Sequence, residues 1–148
     1  MYTVMIVSND KISNAICKAY LTPVYEGIEM YSGVQALGFL KSNPLPDLIL
    51  MDLHMAGMDG TEVLKVLKQD ECTKDIPVIF TLTEHSDMDI VHKLYMQGAT
   101  EIITKPVTEI QLLKRIEYQF EIKRLREENT HMKNMLEQVR LDIEEKFA

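Results

Sequence analysis

Five short runs of apolar and β-branched residues punctuate the chain: 3–7 (TVMIV), 26–31 (EGIEMY), 48–51 (LILM), 78–82 (VIFTL) and 101–104 (EIIT). Most are continuous rather than alternating, as expected of strands buried on both faces, and 26–31 carries the weakest signal. Between them apolar residues recur at helical spacing: Ile12, Ile16, Ala19 and Tyr20; Val34, Leu37 and Leu40; Val63, Leu64 and Leu67; Ile90, Val91, Leu94 and Tyr95. A last helix is predicted from Thr108. The alternation predicts an α/β fold, a doubly wound five-stranded parallel sheet with helices on both faces.

In such a sheet ligands bind outside the carboxyl ends of the strands, where the winding direction reverses. The polar residues there are therefore the functional candidates: Ser8-Asn9-Asp10, Ser32-Gly33, 52–60 and 83–87. The helix-to-strand junctions are shorter and plainer.

From Thr108 onward Gly and Pro vanish and charges of both signs mix, the composition of a long solvated helix. Leu113, Ile116 and Phe120 form one stripe suited to packing on the sheet. Beyond it, Ile122, Leu125, Asn129, Met132, Leu136, Val139, Ile143 and Lys146 follow alternating steps of three and four, a heptad seam. With Ile122, Asn129, Leu136 and Ile143 at the a positions, Glu121 and Glu128 at g oppose Arg126 and Lys133 at e of a parallel partner. Asn129 at a favours two strands in register. The pattern predicts a parallel homodimer; an exposed single helix, or one folded back on its own domain, is the alternative. The expected division is a domain at 1–119 and a coiled-coil helix at 120–148. The seam runs to Ala148 without a stop signal, so a longer parent protein with an output domain is expected.

Composition narrows the class. Of 148 residues 46% are hydrophobic and 26% charged, with only 6 Gly and 5 Pro, which describes a folded chain. No apolar run approaches the roughly 20 residues of a membrane span, and the N-terminus lacks the marks of a secretory leader, so a cytoplasmic protein is expected. Cys17 and Cys72 have no metal-ligand or disulfide spacing. The net charge of −7 divides as 8 basic against 14 acidic residues through Pro106 and 8 against 9 after it. An acidic globular part repels a phosphate backbone, which argues against nucleic-acid binding by this segment. The four histidines, His54, His85, His92 and His131, form no ligand set; His85 and His92 lie seven apart with no third ligand, and surface positions are expected.

Asp52 ends the most apolar strand and precedes a loop of small residues, while Lys105-Pro106 ends the last strand. Either Asp52 caps the next helix, or it meets the Lys105 ammonium across a crevice. The stretches LILMDLHMAGMDG (48–60), DIPVIFTLTEHSD (75–87) and GATEIITKP (98–106), in this order and spacing, resemble the receiver domain of two-component response regulators over roughly residues 1–119. The resemblance implies a flavodoxin-like receiver fold. It also implies phosphoryl transfer from a histidine kinase or small phosphodonor to Asp52, Lys105 pairing with a phosphoryl oxygen, and Mg²⁺ held near Asp52 and the backbone carbonyl of His54. A hydroxyl from the fourth strand would bond the phosphoryl group. Counting back from Gly98 and Lys105 places it at Thr83; counting forward from Pro77 places Leu82 there, one residue out of step.

Three departures from the family pattern stand out. Two adjacent acidic metal ligands are replaced by Ser8 and Asn9, with Asp10 following, so Mg²⁺ affinity should be weakened ten- to a thousandfold, about 1.4 to 4 kcal/mol. Ala56 stands where Pro is usual. Ile102 occupies the switch position normally held by an aromatic residue. The expected function is a phosphorelay receiver module that passes a conformational signal into the coiled coil, a switch and not an enzyme. The alternative is a phosphorylation-independent scaffold. An aspartyl phosphatase would need a second acid at position 54, which is His, and a flavin module would need a hydroxyl-rich loop after the first strand.

Overall fold

The structure is a computed structural model that describes residues 1–83 and 87–147. Among the described residues five strands alternate with five helices: β1 (Thr3–Val7), α1 (Lys11–Leu21), β2 (Glu26–Met30), α2 (Gly33–Ser42), β3 (Leu48–Asp52), α3 (Gly60–Gln69), β4 (Val78–Leu82), α4 (Met88–Met96), β5 (Glu101–Thr104) and α5 (Glu109–Phe147). The sheet is wholly parallel in the order β2-β1-β3-β4-β5. The five expected strands and the doubly wound fold are therefore present. The winding reverses at β1, so the switch-point crevice falls between the carboxyl ends of β1 and β3.

Strand pleating sorts side chains onto two faces. Met5, Val7, Ile49, Met51, Val78, Phe80 and Leu82 enter one core with Ala36, Val63, Leu64, Leu67 and Leu94 from α2, α3 and α4. The alternate positions, Val4, Ile6, Leu48, Leu50 and Ile79, are buried on the opposite face. Asp52 and Thr81 share the parity of that second set, and the register pairs them directly across β3 and β4. A buried carboxylate and a buried hydroxyl thus continue an apolar face to the sheet rim.

The helices start where short polar side chains can hold free backbone N–H groups. Asp10 accepts from Ile12 and Ser13, Ser32 from Gln35, Asp59 from Glu62, and Asp87 from Asp89. Gly60 at the first position of α3 has no room for a side chain. A Cβ there would sit 2.6 Å from Phe80 Cε1 and 2.8 Å from the Asp52 carbonyl oxygen. This close approach brings α3 directly behind the end of β3.

Several helix faces differ from expectation. In α1 the buried residues are Asn14, Cys17 and Leu21, whereas Ile12 and Ile16 are 72% and 45% exposed. The Asp10 cap fixes the helix phase, and Asn14 points inward to donate to the carbonyls of Ser8 and Met30 at the ends of β1 and β2. In α2 the expected Val34 is exposed and Gly33 and Ala36 are buried, because Gly33 lies against Val63. In α4, Leu94 is buried while Tyr95 is exposed. The buried stripe on α5 is Leu112, Ile116 and Phe120, a spacing of four that displaces the expected Leu113.

The chain divides into two compact units, Met1–Leu113 and Lys114–Ala148. The second is the remainder of α5. Along it Leu125, Met132, Leu136, Val139 and Ile143 are at least half exposed. Arg124 bonds Glu121 and Glu128, and Arg140 bonds Glu137 and Glu144, so two Glu-Arg-Glu clusters lie along the helix surface. No helix among the described residues is long and apolar enough to cross a membrane.

Candidate functional site

Asp52 ends a strand whose every residue is buried, and its side chain remains mostly covered. Each oxygen has partners. Oδ1 accepts from the Thr81 hydroxyl, and Oδ2 accepts from Ser8 Oγ at 2.6 Å and from Lys105 Nζ at 3.0 Å. Lys105 directly follows β5, and its backbone N–H donates to the Leu82 carbonyl at 2.7 Å, which fixes the root of the side chain. The Lys105–Pro106 peptide is cis.

These groups line a cleft of about 600 Å³ that also includes Thr83, Pro106 and Val107 at the rim and Asn14, Cys17 and Tyr20 along α1. Asp52 is its only acidic described lining residue and Lys105 its only basic one. Burial first, and then the Asp52 charge, push the Cys17 thiol up to about 11. Cys17 is therefore a neutral wall of the cleft.

The first loop is bound up in hydrogen bonds. The Asp10 N–H donates to Ser8 Oγ at 3.1 Å, so the one hydroxyl proton of Ser8 is left for Asp52. Asn9 Nδ2 donates to the Tyr31 carbonyl at 2.8 Å, and Asn9 Oδ1 accepts from the Ala56 N–H at 2.5 Å. Asp10 caps α1. Ser8 thus reaches the cleft, whereas Asn9 and Asp10 do not line it.

The other expected residues are placed as follows. Thr83, the residue after β4, is exposed and lines the cleft. His54 is exposed in the loop after β3. Ile102 is partly buried against the core on the α4 side. His92 and His131 are exposed; His85 lies outside the described residues. Thr81 is the residue that counting along the sequence missed. Its signal was a single hydroxyl inside the otherwise apolar VIFTL, at the position that parallel pairing sets beside the end of β3.

Mg²⁺ is a hard cation that takes carboxylate oxygens and keeps several waters. Among the described residues no group of three His, Cys, Asp or Glu is arranged to hold a metal ion. The residues present do not fit the Mg²⁺ expected from the resemblance. One carboxylate, already matched by an ammonium, faces the cleft.

A strand-end aspartate thus meets a lysine from the last strand at the carboxyl edge of a five-stranded parallel sheet. The family model for the response regulator receiver domain matches residues 4–117. The response regulator PleD of Caulobacter vibrioides is 32% identical over 114 residues, covering 76% of this chain and 25% of PleD. The phosphate regulon regulatory protein PhoB of Pseudomonas aeruginosa is 33% identical over 115 residues, 77% of this chain and 49% of PhoB. The chemotaxis protein CheY4 of Vibrio cholerae superposes with a TM-score of 0.74 at 24% identity, over 80% of this chain and 98% of CheY4. A response regulator from Chloroflexus aurantiacus superposes with a TM-score of 0.73 at 26% identity, over 80% of this chain and 96% of that one.

The chain belongs to the response regulator receiver family of two-component phosphorelay signalling. Receiver domains are in general non-catalytic signalling modules that meet histidine kinases or phosphodonors and typically bind Mg²⁺. The chain spans a quarter of PleD and about half of PhoB.

Proposed function

We propose that Asp52 is the phosphoacceptor of this receiver and that its modification is relayed along α5 to a paired coiled coil. The observation that carries the first part is the 3.0 Å contact between Asp52 Oδ2 and Lys105 Nζ at the mouth of an open cleft. A carboxylate oxygen of Asp52 attacks the phosphorus of the donor. The P–O bond to the donor's leaving group breaks, that group departs with the electron pair, and an acyl phosphate is left on residue 52. Lys105 pairs with a phosphoryl oxygen. Thr83, which lines the same cleft, bonds the phosphoryl group in this reading, and Thr81 holds the Asp52 oxygen other than the one Ser8 bonds. Ile102, at the edge of the α4-side core, is the switch position through which the new charge is felt.

The partner of the helix is a second copy of the chain. Ile122, Leu125, Asn129, Met132, Leu136, Val139 and Ile143 form a seam, and the exposure of Leu125, Met132, Leu136, Val139 and Ile143 leaves a stripe that a parallel copy would cover. The g residues Glu121 and Glu128 are held by Arg124 within one helix, so pairing across to Arg126 and Lys133 must compete with those contacts. Apolar packing, with Asn129 setting register, therefore carries the association. The expected setting is the cytoplasm, with a histidine kinase or small phosphodonor as the phosphoryl source and no nucleic-acid contact through this segment.

The test is incubation with acetyl phosphate followed by intact-mass measurement of wild type and Asp52→Asn. A gain of one phosphoryl group in wild type alone supports the reading. An equal gain in both proteins refutes it.

A further inference from the structure

Two departures from the family pattern, an amide at position 9 and Ala at position 56, are joined in one hydrogen bond. The Ala56 N–H donates to Asn9 Oδ1 at 2.5 Å. Proline at 56 has no N–H and would delete that bond. The other end of the Asn9 amide is committed to the Tyr31 carbonyl. Asn9 thus ties together the loops that follow β1, β2 and β3, and its oxygen is turned to a backbone donor.

Position 8 is committed in the same way. Ser8 is 3% exposed, receives the Asp10 N–H, and gives its proton to Asp52 Oδ2. Asp52 Oδ2 therefore faces one hydroxyl proton and one ammonium, and Oδ1 faces a second hydroxyl. Three donors surround a single carboxylate, and the charges of the described lining residues sum to zero. A divalent cation entering here would displace these donors, meet the Lys105 ammonium, and find no second carboxylate among the described lining residues.

We infer that Ser8 and Asn9 replace the family's cation site with a hydrogen-bonded clamp, so that Asp52 accepts a phosphoryl group without bound Mg²⁺. This inference rests on the reading of Asp52 as phosphoacceptor. With acetyl phosphate as donor the step balances without a metal. The Asp52 oxygen bonds to phosphorus, acetate leaves with the electron pair, and no proton changes hands. Lys105 neutralises one phosphoryl oxygen, and the Ser8 proton remains available to the oxygens at residue 52. Ser8 is a positioning group that holds the Asp52 carboxylate through its hydroxyl.

The experiment compares wild type with the double variant Ser8→Asp, Asn9→Asp. Calorimetric titration of the unphosphorylated proteins with MgCl₂ reads binding, and intact-mass time courses with acetyl phosphate in EDTA or in excess Mg²⁺ read modification. Wild type should show no saturable heat at millimolar Mg²⁺, and its rates in the two buffers should agree within about twofold. The variant should gain saturable binding and lose at least about tenfold of its rate in EDTA. Saturable Mg²⁺ binding by wild type, or a wild-type rate that falls about tenfold or more in EDTA, would overturn the inference while leaving Asp52 as phosphoacceptor. Wild type modified in neither buffer, with the variant modified in Mg²⁺, would also overturn it. Failure of both proteins in both buffers would instead remove the reading of Asp52 on which it stands. A variant that does not fold leaves the two wild-type measurements to decide.

Discussion

Replacing Thr81 by Val isolates the bond between β4 and the Asp52 carboxylate. The two side chains have nearly the same shape, and Thr81 is 6% exposed, so the substitution removes a donor without opening a cavity. A hydrogen bond to a charged acceptor contributes about 1.5 to 3 kcal/mol. The extra buried methyl returns up to about 0.8 kcal/mol, which leaves a net loss of about 1 to 2 kcal/mol. In an Asp52→Ala background the Thr81 hydroxyl has already lost its partner, and the same change should be neutral or stabilising. The coupling between the two sites should therefore reach at least about 1 kcal/mol. Urea unfolding of the four proteins at one fixed concentration, followed by circular dichroism, measures it, provided the slope m is common to all. An equal penalty for Thr81→Val in both backgrounds would show that the hydroxyl acts on something other than Asp52, and the geometry assigned to the site would fall.

Other consequences are more local. Gly60→Ala should cost about 1 to 3 kcal/mol, because its Cβ would lie 2.8 Å from the Asp52 carbonyl oxygen; thermal unfolding checks this, and a neutral result would mean that α3 shifts freely. Cys72 is exposed, whereas Cys17 is buried with its thiol pushed up to about 11, so iodoacetamide at mildly alkaline pH should alkylate Cys72 at least about a hundredfold faster. Comparable rates by peptide mass spectrometry would contradict that burial. Asp59→Ala should cost about 1 kcal/mol at neutral pH through loss of the α3 cap. The Thr61 hydroxyl bond holds the Asp59 carboxyl below its ordinary value. Its stabilisation is thus full above the ordinary carboxylate range and fades as pH falls toward the lowered folded value. Wild type and variant should converge in acid, and a gap that widens there would reverse the assigned sign.

Much of this architecture was legible because both faces of the sheet are buried. A strand such as β3, with all five residues covered, is written as an unbroken apolar run of four ending in Asp52, and such runs separated by helical spacing admit few arrangements. Helix faces were harder to read. The apolar Ile12 and Ile16 of α1 suggested an inward stripe, yet the helix turns Asn14 inward, where it donates to two strand-end carbonyls. A polar residue with a buried partner is invisible to periodicity. The pairing of Asp52 with Lys105 could be anticipated from the topology of strand ends. Thr81 could not be reached by counting from either side, since its role depends on the parallel register and on pleat parity. The Asn9–Ala56 bond joins positions 47 residues apart, and nothing local announces it.

The position of the covalent bond to phosphorus can be read directly. After exposure to acetyl phosphate the protein is reduced with borohydride, which converts an aspartyl phosphate to homoserine, and peptide mass spectrometry then locates the product. Homoserine at residue 52, absent when the phosphodonor is omitted, is the predicted result. Homoserine at another aspartate, with residue 52 unchanged, would contradict phosphorylation of Asp52.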